Sequence, residues 1–106
     1  MIKFEEFKNV DLRVAEILEV DEHPNADKLY VLRIKVGDEE RNLVAGIKEA
    51  YGKEELIGKK IIIVANLEPA VLRGVKSNGM LLAASDDEGV SLLTVDRDVK
   101  DGSKIN

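Results

Sequence analysis

The residues best suited to bind a ligand lie together in one short segment of the chain. Its polar side chains, which supply two cations, a hydroxyl and an amide, belong to Arg73, Lys76, Ser77 and Asn78. Pro69 cannot donate a hydrogen bond to a sheet, and Gly74 and Gly79 allow backbone angles closed to other residues. Because guanidinium and ammonium groups bind anions, this segment is predicted to be a loop that forms half of an anion-binding site.

Apolar segments on both sides of this loop are expected to position it. Ile61 to Ala65 begins with four β-branched residues in a row, which is typical of a strand buried on both faces. Met80 to Ala84 is predicted to be a second apolar strand. Asp11 to Val20 carries apolar residues on both of its sides, which predicts a long curved strand, bulged near Glu16 and shared between two sheets.

An alternating segment in the middle of the chain predicts a β-hairpin. Residues 29–36 and 41–47 each alternate apolar with polar positions, and the turn is expected at residues 37–40. The exposed face of this hairpin is predicted to carry Arg33 and Lys35, with Arg41 as a third candidate. An ordinary solvated sheet face is the alternative interpretation, and it is favoured more for Arg41 than for Arg33.

The remaining segments complete a small barrel. Short helical turns are predicted at Phe4 to Lys8 and within Lys48 to Gly58, and a last strand at Ser91 to Val95. Phe4 and Phe7, three residues apart, are expected to pack under the sheet. This order of elements is typical of an all-β OB-fold, a five-stranded, partly open barrel, here with short helices and a C-terminal extension. The 106 residues fit a single domain, 1–106.

Charge is distributed unevenly along the chain. The net charge is −5, which argues against a general nucleic-acid binder held by bulk attraction. Residues 59–80, however, hold four Lys and Arg against one acidic residue, and they form the only basic segment. This asymmetry is typical of a local anionic contact on an acidic body, although chance clustering in a small protein gives the same pattern.

Several functional classes find no support in the sequence. Zero cysteines exclude disulfides and thiolate metal sites, and the only histidine, His23, lies in a turn and is interpreted as a packing residue. Asp86-Asp87-Glu88 precedes a glycine and is interpreted as a solvated loop rather than a metal site. No catalytic residue, metal or cofactor is therefore expected. The absence of an apolar span or signal segment predicts a cytoplasmic protein without membrane contact.

Sequence blocks along most of the chain resemble the tRNA-binding domain family. They comprise residues 10–15 (VDLRVA), 23–29 (HPNADKL), 46–47 (GI), 55–56 (EL), 58–60 (GKK) and 66–85 (NLEPAVLRGVKSNGMLLAAS). The family includes the C-terminal domain of many methionyl-tRNA synthetases, free-standing tRNA-binding proteins and endothelial monocyte-activating polypeptide. The resemblance implies an OB-fold that binds tRNA by shape, and a homodimer in bacterial and archaeal members.

The resemblance also implies which residues contact RNA. Matching positions in the two longest blocks are Asn25, Lys28, Arg73, Ser77, Asn78, Met80 and Ser85, with Lys76 beside them. Arg33 and Lys35 fall on the sheet that similar domains present to RNA. The 4% aromatic content supplies few base-stacking platforms, which favours folded RNA over single strands.

The chain departs from the family pattern at three positions, and two of these departures weaken the expected attraction for phosphate because they remove cations. Ala45 replaces a common serine, and Glu68 and Val71 stand where many relatives have lysine. Two hypotheses therefore remain open. The first is a tRNA-binding accessory domain that assists a synthetase. Its expected partners are tRNA, a second copy of the domain and the catalytic part of methionyl-tRNA synthetase. The second is a dimerisation module with residual RNA binding, with its interface at Leu92, Leu93, Val95, Val99 and Ile105.

Overall fold

The computed structural model describes all residues from Met1 to Asn106. Its elements, in chain order, are α1 (Phe4–Phe7), β1 (Leu12–Glu22), β2 (Tyr30–Val36), β3 (Glu39–Ala45), α2 (Lys53–Leu56), β4 (Lys60–Val64), β5 (Ala70–Leu72), β6 (Val75–Ser77), β7 (Met80–Leu81), β8 (Ala83–Asp86) and β9 (Gly89–Leu92). No helix is long and apolar enough to cross a membrane.

Five antiparallel strands form one curled sheet in the order β3-β2-β1-β4-β7. The long strand β1 pairs with β4 along its first half and with β2 along its second half. Its register shifts between Ile17 and Glu19, so the predicted bulge is present, just beyond Glu16. The sheet is an OB-like half-barrel, which confirms the all-β OB-fold class, with two short helices and extra C-terminal strands.

The inner face of the sheet forms the hydrophobic core. Tyr30, Leu32, Ile34 and Val36 of β2 are all buried, as the alternation predicted, and the turn that follows spans two residues rather than four. In β4 the side chains from Ile61 to Val64 are buried on both faces, again as predicted. The strands are therefore positioned by the burial of one or both of their faces.

The second half of the chain differs from the predicted loop and strand. The segment expected to be an irregular loop contains the two-stranded ribbon β5–β6. The apolar run after Gly79 breaks at Leu82 into two strands. The first, β7, pairs with β4 at the edge of the five-stranded sheet, and the second, β8, forms a separate hairpin with β9. The predicted last strand therefore begins earlier, at Gly89, and the acidic Asp86-Asp87-Glu88 run lies at the turn of this hairpin.

The prediction that Phe4 and Phe7 pack beneath the sheet is wrong. Helix α1 has only four residues and buries none of them, and Phe4 is 70% exposed. Spacing of i and i+3 places two side chains on one helical face, but it does not supply a partner for that face.

The C-terminal segment is held against the sheet by backbone and side-chain contacts. The N–H of Gly102 donates to the Val14 carbonyl at 2.7 Å. The Asp101 carboxylate accepts from the Gly37 N–H at 2.7 Å and from Lys35 Nζ at 3.2 Å. Burial acts to raise the pKa of Asp101, but these two donors outweigh burial and hold the pKa below its ordinary value. The Lys35 side chain therefore helps to hold the C-terminal segment against the sheet.

Candidate RNA interface

The ribbon β5–β6 projects a single arginine at its tip. Strands β5 and β6 pair in register, with Leu72 opposite Val75, so the turn consists of Arg73 and Gly74. Both have positive φ angles, 52° and 87°, and Arg73 is the only non-glycine residue with a positive φ. Two-residue turns of this kind favour Asn-Gly, and an arginine there costs backbone strain. The conformation of the turn therefore does not explain why an arginine occupies position 73.

The turn at residues 23–28 holds the ribbon tip in place. His23 is 6% exposed, and its Nδ1 lies 2.9 Å from the Asn25 N–H that donates to it. Nε2 must then carry the proton, and it donates to the Leu72 carbonyl at 2.8 Å. Asn25 Nδ2 donates to the Arg73 carbonyl at 3.1 Å. Asn25 and His23 thus fix the backbone on either side of the strained residue.

At the other end of the ribbon, a polar depression lies between β6 and the sheet. Its lining has no apolar residue and consists of Arg33, Glu40, Arg41, Asn42, Lys76 and Asn78. Asn42 is the cross-strand partner of Arg33, and its carbonyl accepts from the Asn78 N–H at 2.8 Å. The structure therefore brings together three predicted site residues, Arg33, Lys76 and Asn78, and adds Asn42.

The arginines of this depression are held to different degrees. Arg33 uses Nε to donate to Glu40 at 2.7 Å, and its two Nη groups have no protein partner. Arg41 is pinned, because Nη1 donates to the Ala65 carbonyl at 2.6 Å and Nη2 pairs with Glu39. Arg41 is therefore part of the barrel rather than a free cation of the exposed face.

Ion pairing separates the cations that have an acidic partner from those that have none. Nine of the sixteen Lys and Arg residues form ion pairs, including Lys28 with Glu49 at 3.4 Å and Lys35 with Asp101 at 3.2 Å. Arg73 and Lys76 form none. The sequence from Pro69 to Ser85 also contains no carboxylate. The ribbon is therefore the least neutralised part of the predicted site.

Other predicted site residues lie away from the ribbon's free surface. Ser77 is 4% exposed, and its hydroxyl accepts from the Val44 N–H at 3.0 Å while it donates to the Gly79 carbonyl. It supports the barrel closure instead of facing solvent. Met80 is half-exposed on β7, and Ser85 lies on the β8–β9 hairpin in a groove with Glu49, Asp86 and Glu88.

The predicted interface residues also separate into buried and exposed ones. Leu92 is 8% exposed and belongs to the chain's own core, so it is not available to a second copy. Leu93 and Val99 are exposed, at 39% and 37%, while Val95 and Ile105 are partly buried. The exposed surface of the tail is thus smaller than the sequence suggested.

Two features of the site were missed by sequence reasoning. The hydrogen bond of His23 to the ribbon joins residues 49 positions apart, and no local pattern indicates such a contact. Asn42 is one polar residue in an alternating strand. The register of the β2–β3 hairpin would have placed it beside Arg33, because a two-residue turn fixes that register.

The fold places the chain in the class of OB-like half-barrel domains, here with two unpaired cations, Arg73 and Lys76, on the β5–β6 ribbon. Residues 12–104 match the family model described as "Putative tRNA binding domain". The chain belongs to this tRNA-binding domain family, as the sequence blocks had suggested.

Curated relatives include methionine–tRNA ligases of archaea. The enzyme of Pyrococcus horikoshii is 59% identical over 104 residues, covering 98% of this chain and 14% of the ligase. That of Methanococcus maripaludis strain C7 is 58% identical over all 106 residues, covering 16% of the ligase. The chain therefore spans about a seventh of the length of such relatives.

Two solved structures share nearly the whole chain. The CsaA chaperone protein from Picrophilus torridus superposes with a TM-score of 0.94 at 39% identity, covering 100% of both chains. The MetRS related protein from Pyrococcus horikoshii has a TM-score of 0.91 at 35% identity, covering 99% of this chain and 97% of that protein. The similarity thus extends beyond the barrel to the terminal segments.

Proposed function

We propose that this domain binds folded tRNA through the β5–β6 ribbon and the neighbouring β2–β3 face. The observation that best supports this proposal is the position of Arg73, a cation at a strained turn position on a ribbon without carboxylates. Strain of this kind persists where the surrounding structure enforces it, and it is concentrated at functional sites. The membership of the tRNA-binding domain family supports tRNA as the ligand.

Contact with the sugar–phosphate backbone would explain the residue types of the ribbon. Arg73 and Lys76 can bind phosphates, and the amide of Asn78 can reach a phosphate or a ribose hydroxyl. Such groups recognise the shape of RNA rather than its base sequence. The domain therefore has little preference among tRNAs with a common fold.

The role that follows is an accessory one, in the cytoplasm, for an aminoacyl-tRNA synthetase. The ligases that it resembles carry the matching segment as about a seventh of their length. A second tRNA contact joined to a catalytic part raises the effective concentration of tRNA without any new chemistry. We assign methionyl-tRNA synthetase as the partner and give the domain no catalytic step of its own.

We also propose that the domain is a homodimer that uses exposed residues of its tail, Leu93 and Val99 among them. The acidic body, with a net charge of −5, favours the second candidate, a dimerisation module in which RNA binding is weak. The two candidates predict different affinities for tRNA, which a binding measurement separates.

The test compares single cation deletions in binding of the isolated domain to a tRNA transcript. Lys76→Ala and Arg73→Ala should each weaken binding about fivefold, because each removes a charged hydrogen bond to a phosphate. Lys100→Ala is the matched control, since Lys100 is also exposed and unpaired but lies on the C-terminal tail. It should leave binding unchanged.

All three variants should keep the wild-type melting temperature and oligomeric state. Equal affinities for wild type, Lys76→Ala and Arg73→Ala would reject the ribbon as the tRNA contact. An undetectable affinity of the wild type at low salt would favour the dimerisation module.

A further inference from the structure

The polar depression beside the ribbon contains hydrogen-bonding groups that the fold does not use. The side-chain amides of Asn42 and Asn78 form no hydrogen bond within the protein, and neither do the Nη groups of Arg33 or the ammonium of Lys76. The backbone bond of 2.8 Å from Asn78 N–H to the Asn42 carbonyl holds the two amide-bearing residues side by side. Free cations and free amides therefore share one surface.

We propose that this depression is a ribose–phosphate subsite in which Asn42 and Asn78 select RNA over DNA. The inference rests on the proposed tRNA-binding function and assigns its chemical basis. Arg33 and Lys76 bind one backbone phosphate, and the two amides bind the adjacent 2′-hydroxyl.

The division of roles follows from the donor and acceptor capacity of each group. Guanidinium and ammonium groups only donate, and the phosphate that they bind is the same in RNA and DNA. A 2′-hydroxyl both donates and accepts, so a side-chain amide, which has one acceptor and two donors, can satisfy it fully. The discrimination against deoxyribose is therefore assigned to the amides.

Carboxylates at the rim restrict where the phosphate can lie. Glu40 has one oxygen 2.7 Å from Arg33 Nε, and Glu19 is the cross-strand neighbour of Arg33 on β1. The opposite rim, formed by Lys76 and Asn78, carries no acidic side chain. The phosphate is thus directed to the Lys76 side, away from Glu40.

The experiment measures two dissociation constants for each variant, one with a tRNA transcript and one with a DNA strand of the same sequence. Asn42→Ala and Asn78→Ala should each weaken RNA binding about fivefold and leave DNA binding unchanged, so the RNA preference falls by the same factor. Lys76→Ala should weaken both ligands by similar factors. Asn106→Ala, which removes an exposed amide at the C-terminus, is the control and should change neither constant.

Each other outcome overturns the assignment. If the amide variants weaken RNA and DNA equally, the depression is a phosphate contact only. If they change neither, it is not part of the interface, although the ribbon can still bind tRNA through Arg73. Failure of the proposed function is distinguishable, because the wild type itself would then show no tRNA affinity.

Discussion

At the scale of single residues, Arg73 combines an unfavourable backbone conformation with a proposed contact to tRNA. Its φ of 52° belongs to a region that suits glycine and asparagine, and the next residue, Gly74, already supplies the second positive φ of the turn. The hydrogen bonds from His23 and Asn25 hold the carbonyls of Leu72 and Arg73. A flexible loop would let the arginine relax, whereas this support keeps its side chain at the tip.

Replacing Arg73 should therefore separate stability from binding. Arg73→Asn gives the turn the residue that it favours and should raise the free energy of unfolding by about 0.5–1 kcal/mol. The same change removes the cation and should weaken tRNA binding about fivefold. Chemical denaturation and a binding titration measure the two effects.

Arg73→Lys is the control for this prediction. It keeps the charge and the unfavourable φ, so stability should stay near that of the wild type and most of the affinity should remain. A less stable Arg73→Asn variant, or one with unchanged tRNA affinity, would contradict the proposal that Arg73 lowers the stability of the turn but strengthens tRNA binding.

At the scale of elements, burial decides what the sequence could predict. Strands β2 and β4 were recognised because one or both of their faces enter the core and leave a periodic pattern. The ribbon strand β5 was missed because all three of its residues are exposed and leave no such pattern. The ribbon cations of the site could be predicted from the local composition. The position of Asn42 beside Arg33 could not, because it depends on the register between two strands.

The end of β9 offers two adjacent leucines with opposite surroundings. Leu92, the last residue of β9, is in the core, and Leu93, which directly follows the strand, is exposed. Leu92→Ala should lower the free energy of unfolding by about 2–4 kcal/mol through a cavity. Leu93→Glu should instead convert the proposed dimer into a folded monomer, since it places a charge in an apolar contact.

Sedimentation velocity and thermal unfolding at matched concentrations distinguish these effects. Leu92→Ala is the control for general loss of stability, and any dimer it still forms shows that destabilisation alone does not dissociate the copies. Leu93→Glu sedimenting as the wild type does would remove Leu93 from the interface.

At the scale of the whole molecule, most positive charge is already neutralised. Nine cations are ion-paired within the chain, and a net charge of −5 opposes long-range attraction of RNA. An extended surface that follows many phosphates would have to break these pairs. Of the cations without an ion pair, only Arg73 and Lys76 lie on the ribbon, which predicts a short contact with folded RNA.

The salt dependence of tRNA binding measures the size of this contact. Each phosphate neutralised contributes about −0.9 to the slope of log K against log salt, through the release of counterions. With Arg73 at one phosphate, and with Lys76 and the Nη groups of Arg33 at a second, the slope should be about −2. Lys76→Ala should reduce its magnitude by about 1, whereas Lys100→Ala should not change it. A wild-type slope steeper than about −5 would require Lys28 and Lys35 to leave Glu49 and Asp101, and would contradict a contact confined to the ribbon and the adjacent face.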